Sequence, residues 1–183
     1  MIYEVCLFSE VNPEECSCFL AGGINNVKDW QKDVIKELKK LDSEHSIKAP
    51  KPNNIYIYNP REVNTSYKGK EIHIPDCIKW DDKYMQRVDL LSFYFCKDAT
   101  QATSLFELGR YISLRKFGGY ESRSYNFAYR HIISFEKEYP YADKTREYLK
   151  IIFGRDYDLA VHENATPQDH ARMIFERSLE LNR

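Results

Sequence analysis

A single carboxylate, Glu107, stands in the apolar run of Leu105, Phe106 and Leu108, and Ser104 precedes it by three residues. The pattern Ser-x-x-Glu matches a capping box, in which the glutamate bonds back to the amide of the cap residue. A carboxylate in the first turn of a helix also feels the positive end of the helix dipole, which favours ionisation. An ionised carboxylate that faces a pocket can attack the anomeric carbon of a sugar. Both interpretations stay open at this point.

A second group of carboxylates lies in "IKWDDKYMQRV" (78–88), which we predict to be a short helix. Asp81 and Asp82 fit the start of that helix as capping residues, and Asp89 fits a structural turn before the next strand. The five histidines form no HExxH pattern or triad, and we expect them on the surface or in loops. Cys16-x-Cys18 has no second Cys/His pair at zinc-like spacing, so we predict neither a metal nor a cofactor.

Alternating predicted strands and helices position these residues. Val27 to Leu41 follows a helical period after Asn26 as cap, and Thr166 with Pro167 begins another helix. The order β-α-β-α-β-α predicts a doubly wound α/β sheet in one domain, residues 1–183. Predicted strands cover 17–24, 54–60, 89–96 and 130–136, and predicted helices cover 27–41, 78–88, 104–117, 142–154 and 166–181.

Three segments follow or adjoin predicted strand ends, and in open α/β sheets ligands bind beyond the carboxyl ends of the strands. Ala21-Gly22-Gly23-Ile24 follows the first strand, Asn59-Pro60-Arg61 follows the second, and residues 97–107 follow the third. The Gly-Gly pair has neither dinucleotide-fingerprint nor P-loop spacing. It fits either a tight turn or a close approach of backbone to ligand.

The composition of the chain limits the classes of partner that we expect. The net charge is −1 with no basic block, so we expect no nucleic-acid polymer as partner. No apolar run reaches the roughly 20 residues of a membrane helix, and the acidic N-terminal stretch does not resemble a signal peptide. The odd number of cysteines, five, predicts reduced thiols and a cytoplasmic location.

Taken in order, "CFLAGGINNVKDWQKDVIKEL", "YNPRE", "IKWDDKYMQRVDLLSFYF" and "TSLFELGRY" resemble the nucleoside 2-deoxyribosyltransferase family, in particular its nucleoside 2-deoxyribosyltransferase-like branch. The resemblance covers residues 17–116, and residues 117–183 diverge from it. It implies a flavodoxin-like fold with a helical C-terminal extension, and cleavage of N-glycosidic bonds. It also implies a homo-oligomer, for which the helix at 166–181 is a candidate interface.

The resemblance assigns roles to individual residues. Glu107 matches the nucleophile that attacks C1′, and Asp81 matches the carboxylate that contacts the nucleobase and helps to protonate it. Gln101 stands where the characterised transferases have an aspartate, with Asp98 nearby, and Cys18 stands where they have a tyrosine. The residues expected to bind substrate are Ala21, Gly22, Gly23, Ile24, Asn59, Arg61, Asp82, Gln101, Thr103 and Ser104.

We therefore expect an enzyme that cleaves or transfers the N-glycosidic bond of a (deoxy)nucleoside or nucleotide through a covalent glycosyl-Glu107 intermediate. Three substrates remain open: a free deoxynucleoside, its 5′-monophosphate held near Thr103 and Ser104, or an NAD-type dinucleotide along Arg115, Arg123 and Arg130. The alternative from another class is a non-catalytic nucleotide-binding or sequestering module on the same fold.

Overall fold

The computed structural model describes most of the 183-residue chain. The described residues are 1–11, 15–24, 26–46, 54–61, 66–67, 70–71, 73–117 and 127–181. Arg123, one of the arginines considered for a dinucleotide groove, lies outside them.

A six-stranded, all-parallel sheet forms the centre of the molecule, in the order β1-β3-β2-β6-β7-β8. A short antiparallel hairpin, β4 with β5, lies between β3 and the following helix in the chain. The strands are β1 (Ile2–Cys6), β2 (Ser17–Gly22), β3 (Ile55–Asn59), β4 (Ser66–Tyr67), β5 (Lys70–Glu71), β6 (Leu90–Phe95), β7 (His131–Phe135) and β8 (Val161–Glu163).

The strand order reverses direction beside β2. From β2 the chain passes to β3 on one side, and then returns to β6, β7 and β8 on the other. Without the edge strand β1 this is the flavodoxin-like order, whose switch point lies between β2 and β6. The predicted doubly wound, flavodoxin-like α/β fold is confirmed.

Helices cover both faces of the sheet, as predicted. Alternate residues of β2 point to opposite faces: Cys18 and Leu20 pack with the α1 and α6 side, whereas Phe19 and Ala21 pack with the α2 and α3 side. The helices are α1 (Trp30–Ser46), α2 (Ile74–Met85), α3 (Ala102–Phe117), α4 (Ala142–Phe153), α5 (Tyr157–Ala160) and α6 (Pro167–Leu181), with 3₁₀ turns at Phe127–Arg130 and Gly154–Asp156.

Three helix starts differ from the predictions. Helix α1 begins at Trp30 with Asp29, not Asn26, accepting a hydrogen bond from the Lys32 amide (3.1 Å). Helix α2 begins four residues earlier than predicted, at Ile74, so Asp81 lies in its interior and is not a cap. Helix α3 begins at Ala102, two residues before the predicted start.

The C-terminal third continues the sheet and is attached by buried polar groups. The imidazole of His170 on α6 bridges Ser134 (2.7 Å) and Ser92 (3.1 Å), and burial lowers its pKa to about 3, so that it is neutral. Arg177 donates to the carbonyls of Tyr129 and His131. The expectation that the histidines lie on the surface or in loops is therefore wrong for His170 and for His131, which is also fully buried.

The predicted cap of α6 is confirmed, because the Thr166 hydroxyl accepts a hydrogen bond from the Asp169 amide (3.2 Å). The apolar stripe of α6, which includes Ile174 and Phe175, packs inside the chain on the α1 side of the sheet. This stripe is therefore intramolecular core. No helix within the described residues is both long and apolar enough to cross a bilayer.

Candidate active site at the switch point of the sheet

Asp81 lies on the second half of α2, and aromatic packing fixes that helix against the sheet. Trp80 packs in tilted geometry against Phe19 of β2 and Tyr58 of β3, and its indole donates to the Ser9 carbonyl (3.2 Å). Asp81 is mostly buried, and its Oδ1 is buried without a hydrogen-bond partner among the described residues. Burial and, second, the charge of Glu107 raise the pKa of Asp81 from 3.8 to about 7.

Glu107 lies in the second turn of α3. Because Ser104 is the third residue of this helix and is buried, it cannot be the N-cap that a capping box requires. Within the described part of the chain, no hydrogen bond or ion pair to the Glu107 carboxylate is present. The capping-box interpretation is therefore wrong, and the side chain is not folded back onto the Ser104 amide.

The electrostatics of Glu107 also differ from the expectation. The helix dipole favours ionisation of a carboxyl group in the first turn, but Glu107 lies in the second turn of α3. Burial raises the pKa of Glu107 from 4.5 to about 7, and the nearby Arg110 guanidinium acts in the opposite direction. Burial thus raises the pKa of two carboxyl groups on neighbouring helices to about 7, and the charge of Glu107 on α3 acts on Asp81 on α2.

Beside this pair, Asp82 forms a compact polar cluster with two α3 residues. The Tyr111 hydroxyl donates to Asp82 Oδ1 (2.6 Å), Arg110 forms an ion pair with the same oxygen (2.6 Å), and Arg110 also donates to the Tyr111 hydroxyl (3.0 Å). Burial alone would raise the pKa of Asp82, but hydrogen bonds from Tyr111, Gln86 and Arg110 lower it below its usual value. These contacts hold Asp82 ionised and keep a cation close to Glu107.

The Gly22-Gly23 turn at the end of β2 requires glycine for steric reasons. Gly22 has φ +148°, and a Cβ at this position would lie 2.4 Å from the Tyr94 carbonyl oxygen and 2.7 Å from the Trp30 ring. At Gly23, a Cβ would lie 2.8 Å from the side chain of Gln101. Close packing within the protein therefore explains both glycines, and Ile24 next to them is 38% exposed.

Both backbone polar groups of Gly23, its N–H and its carbonyl, are hydrogen-bonded. Its N–H donates to Gln101 Oε1 (3.1 Å), and its carbonyl accepts from the Trp30 indole (2.9 Å) and from Arg61 Nη2 (3.5 Å). Gln101 in turn donates from Nε2 to the Cys96 carbonyl (3.4 Å) and has a positive φ of +50°. The loops that follow β2, β3 and β6 are thus joined at one point.

The loop after β3 is fixed in the same way. The Asn59 side chain donates to Glu4 (2.9 Å) and accepts from the Arg61 amide (3.0 Å). Arg61 donates through Nε to Gln31 Oε1 (3.0 Å) and lies 3.2 Å from a carboxylate oxygen of Asp29. These bonds use most of the hydrogen-bonding capacity of the Arg61 guanidinium inside the protein.

The family model described as "Nucleoside 2-deoxyribosyltransferase like" matches residues 15–117, more than half of the chain. The chain belongs to the nucleoside 2-deoxyribosyltransferase-like family. A comparison with curated proteins gives no match. The matched span contains β2, β3, β6 and the helices that carry Asp81 and Glu107, and membership supports a nucleoside deoxyribosyltransferase-like role with a small nucleoside as ligand.

The remaining residues that we predicted to bind substrate differ in their exposure to solvent. Thr103 is exposed at the start of α3, whereas Ala21 is buried within β2. Arg115, considered for a dinucleotide groove, donates to the carbonyls of Met85 (2.7 Å) and Val88 (3.0 Å) and so attaches the end of α2 to α3. Among the described residues, no group of three or more His, Cys, Asp or Glu side chains comes together as a metal site.

The residues that contact and position the predicted site residues, such as Arg110, Trp30 and Gln31, were not predicted from the sequence. Arg110 stands three residues after Glu107, a helical spacing that places two side chains on one face, and that spacing could have identified it. Trp30 and Gln31 contact the turn and Arg61 from the start of α1, and no local pattern signals contacts of that kind. A cavity of about 190 Å³ lies further along the sheet edge, lined by residues that include Glu136, Arg146 and Glu163, and it does not contain the Asp81–Glu107 pair.

Proposed function

We propose that the protein cleaves the N-glycosidic bond of a (deoxy)nucleoside or nucleotide and passes the sugar to water or to a second base. The observation that carries this function is the Asp81–Glu107 pair, two mostly buried carboxylates whose pKa values are both raised to about 7. Two coupled carboxyl groups of this kind hold about one proton between them near neutral pH. One group is then ready as a nucleophile and the other as an acid.

The surroundings support a division of the two roles. Arg110 favours the ionised form of Glu107, whereas the charge of Glu107 favours the protonated form of Asp81. Glu107 is therefore the carboxylate that attacks, and Asp81 carries the proton. The Oδ1 atom of Asp81 is buried without a hydrogen-bond partner among the described residues, which favours the protonated form of this carboxyl group.

The reaction proceeds in two displacements. A Glu107 oxygen forms a bond to C1′ while the C1′–N bond breaks, and the bonding electron pair leaves with the base, which Asp81 protonates. In the second step water or another base attacks C1′, Asp81 accepts its proton, and Glu107 leaves as a carboxylate. Two inversions at C1′ give net retention of configuration.

The direct test is incubation of the purified protein with deoxynucleosides, their 5′-monophosphates and NAD, followed by chromatography for the free base. We expect Glu107→Gln to lower kcat by roughly 10³-fold or more and Asp81→Asn by on the order of 10²- to 10⁴-fold. Glu107→Gln that folds and still releases base at the wild-type rate would refute the mechanism. If one of the three ligands binds tightly and none is cleaved, the protein is a nucleotide-binding or sequestering module instead.

Two further features belong to the same proposal. From the family resemblance we expect a homo-oligomer, and sedimentation velocity over a range of protein concentrations tests it. From the cysteine usage we expect a cytoplasmic location. All five cysteines lie within the described residues and none forms a disulfide, and fractionation of cells that express the protein tests the location.

A further inference from the structure

The side chain of Gln101 stands where the family resemblance places an aspartate, and its surroundings define a different task. Gln101 is 8% exposed, and both ends of its amide are hydrogen-bonded within the protein. Oε1 accepts from the Gly23 amide (3.1 Å) and Nε2 donates to the Cys96 carbonyl (3.4 Å). The amide supplies an acceptor and a donor at these two positions, whereas an ionised carboxylate has no hydrogen to donate to Cys96.

From this geometry we propose that Gln101 is a positioning residue, which joins the Gly22-Gly23 turn to the loop after β6 and so fixes the floor of the substrate site. The role rests on the proposed function, because it assigns Gln101 to the support of that site rather than to contact with the sugar. The two loops are 78 residues apart in sequence, and they meet beside the switch point between β2 and β6.

The backbone of Gln101 is consistent with this role. A non-glycine residue at φ +50° carries a conformational cost. Such a cost persists where surrounding contacts over-determine the conformation, and here the two amide hydrogen bonds do so. Gln101 also directly precedes α3, and its carbonyl accepts the Leu105 amide (3.0 Å), so its position fixes the start of the helix that carries Glu107.

One consequence concerns how the turn contacts a ligand. Gln101 uses the Gly23 N–H, while Trp30 and Arg61 use the Gly23 carbonyl. Gly23 therefore has no free backbone donor for a ligand. The exposed side chain of Ile24 next to it offers an apolar surface that can contact the face of a nucleobase.

Isotope labelling tests the contact without any substrate. The sequence has only two Gly-Gly pairs, Gly22-Gly23 and Gly118-Gly119. Labelling glycine with ¹³C at the carbonyl and with ¹⁵N therefore selects the amides of Gly23 and Gly119, and Gly118→Ala removes the second signal. We expect Gln101→Ala to increase hydrogen exchange at the Gly23 amide at least tenfold, and Gln101→Glu, which keeps an acceptor oxygen, to preserve protection better. Unchanged exchange in Gln101→Ala would overturn the proposal.

Kinetics test the positioning role. We expect Gln101→Ala to raise KM by roughly tenfold with little change in kcat, because a loosened floor weakens binding of ground and transition state alike. Lys39→Ala, at an exposed position of α1 outside the predicted ligand-binding segments, serves as the control and should change neither. Increased Gly23 exchange with unaltered KM would also overturn the role. If Gln101→Ala does not fold, Gln101→Asn replaces it, since Asn tolerates positive φ but is one methylene too short.

The two measurements separate this inference from the proposed function. If the wild-type protein releases no base from any of the tested substrates, the proposed function fails, while the exchange of the Gly23 amide still decides whether Gln101 holds the turn. If base is released and Glu107→Gln abolishes it, but Gln101→Ala behaves as the wild-type protein does, the proposed function stands and the positioning role of Gln101 is refuted.

Discussion

The charge of Glu107 on α3 raises the pKa of Asp81 on α2, so the two helices carry carboxyl groups that interact across the space between them. Neither helix alone would give these groups their properties. The aromatic packing of Trp80 on the sheet orients Asp81. The position of Glu107 on α3 depends on where that helix begins, directly after Gln101, whose carbonyl accepts the Leu105 amide. The pair is the centre of the proposed mechanism, and it also has consequences for stability.

Stability is predicted to fall as pH rises through the range in which these carboxyl groups titrate. Their pKa values are raised in the folded protein to about 7, from 3.8 for Asp81 and 4.5 for Glu107. The folded state therefore binds more protons than the unfolded state between those values, and the free energy of unfolding decreases from about pH 4 to about pH 7.

Removing one charge of the pair relieves this penalty. We expect Asp81→Asn to raise the free energy of unfolding by roughly 1–2 kcal/mol at about pH 8, with little effect at about pH 3, where this carboxyl group is protonated in the folded and the unfolded state alike. Denaturant unfolding at both pH values measures the difference. A variant that is less stable than the wild type at the higher pH would show that Asp81 has a stabilising partner there.

Arg110 is predicted to set the acid side of the pH–rate profile. Its guanidinium lowers the pKa of Glu107, so Arg110→Met should raise that pKa and move the acid limb of kcat/KM to higher pH by roughly half a unit. Lys79→Met removes the same charge from an exposed ion pair with Asp76 and provides the control for net charge. Equal shifts in both variants would assign the effect to the overall field of the protein.

The two glycines that differ most in their surroundings should respond oppositely to alanine. Gly22→Ala places a methyl group 2.4 Å from the Tyr94 carbonyl at an unfavourable φ, and we expect a loss of roughly 2–4 kcal/mol in the free energy of unfolding. In Gly109→Ala the new methyl group meets nothing within 4 Å on the surface of α3, so a gain of about 0.5–1 kcal/mol is expected. Thermal or urea unfolding measures both, and a tolerated Gly22→Ala would contradict the packing of this turn.

The sequence predicted those elements whose signals are local and strong. Strand β6 is a continuous apolar run, and α6 has a Thr-Pro start with a clear stripe, so both lie where the patterns placed them. Strand β1 was missed because it is a short edge strand with most of its residues partly or fully exposed, and β8 because it has only three residues. Neither strand offers the long apolar period on which such prediction depends.

The errors near the site have a common physical cause. The start of α3 is fixed by Gln101, whose positive φ and contact with Gly23 depend on a loop 78 residues away. A Ser-x-x-Glu pattern located three residues further on therefore suggested a cap that the fold does not use. The family motifs identified Asp81 and Glu107 as partners, but their raised pKa values depend on burial, which no local pattern expresses.

The most direct measurement is mass spectrometry of the peptide that contains Glu107 after rapid quenching of Asp81→Asn with a deoxynucleoside. A deoxynucleoside whose base leaves without protonation bypasses the acid that this variant lacks in the first displacement. The variant also lacks the base that assists the second displacement, so the covalent intermediate should accumulate. The mechanism predicts a peptide heavier by one deoxyribosyl group, with the modification on Glu107 and absent in the Asp81→Asn, Glu107→Gln double variant. Two results would contradict the mechanism. One is a deoxyribosyl group attached to a residue other than Glu107, and the other is release of base by Glu107→Gln at the wild-type rate.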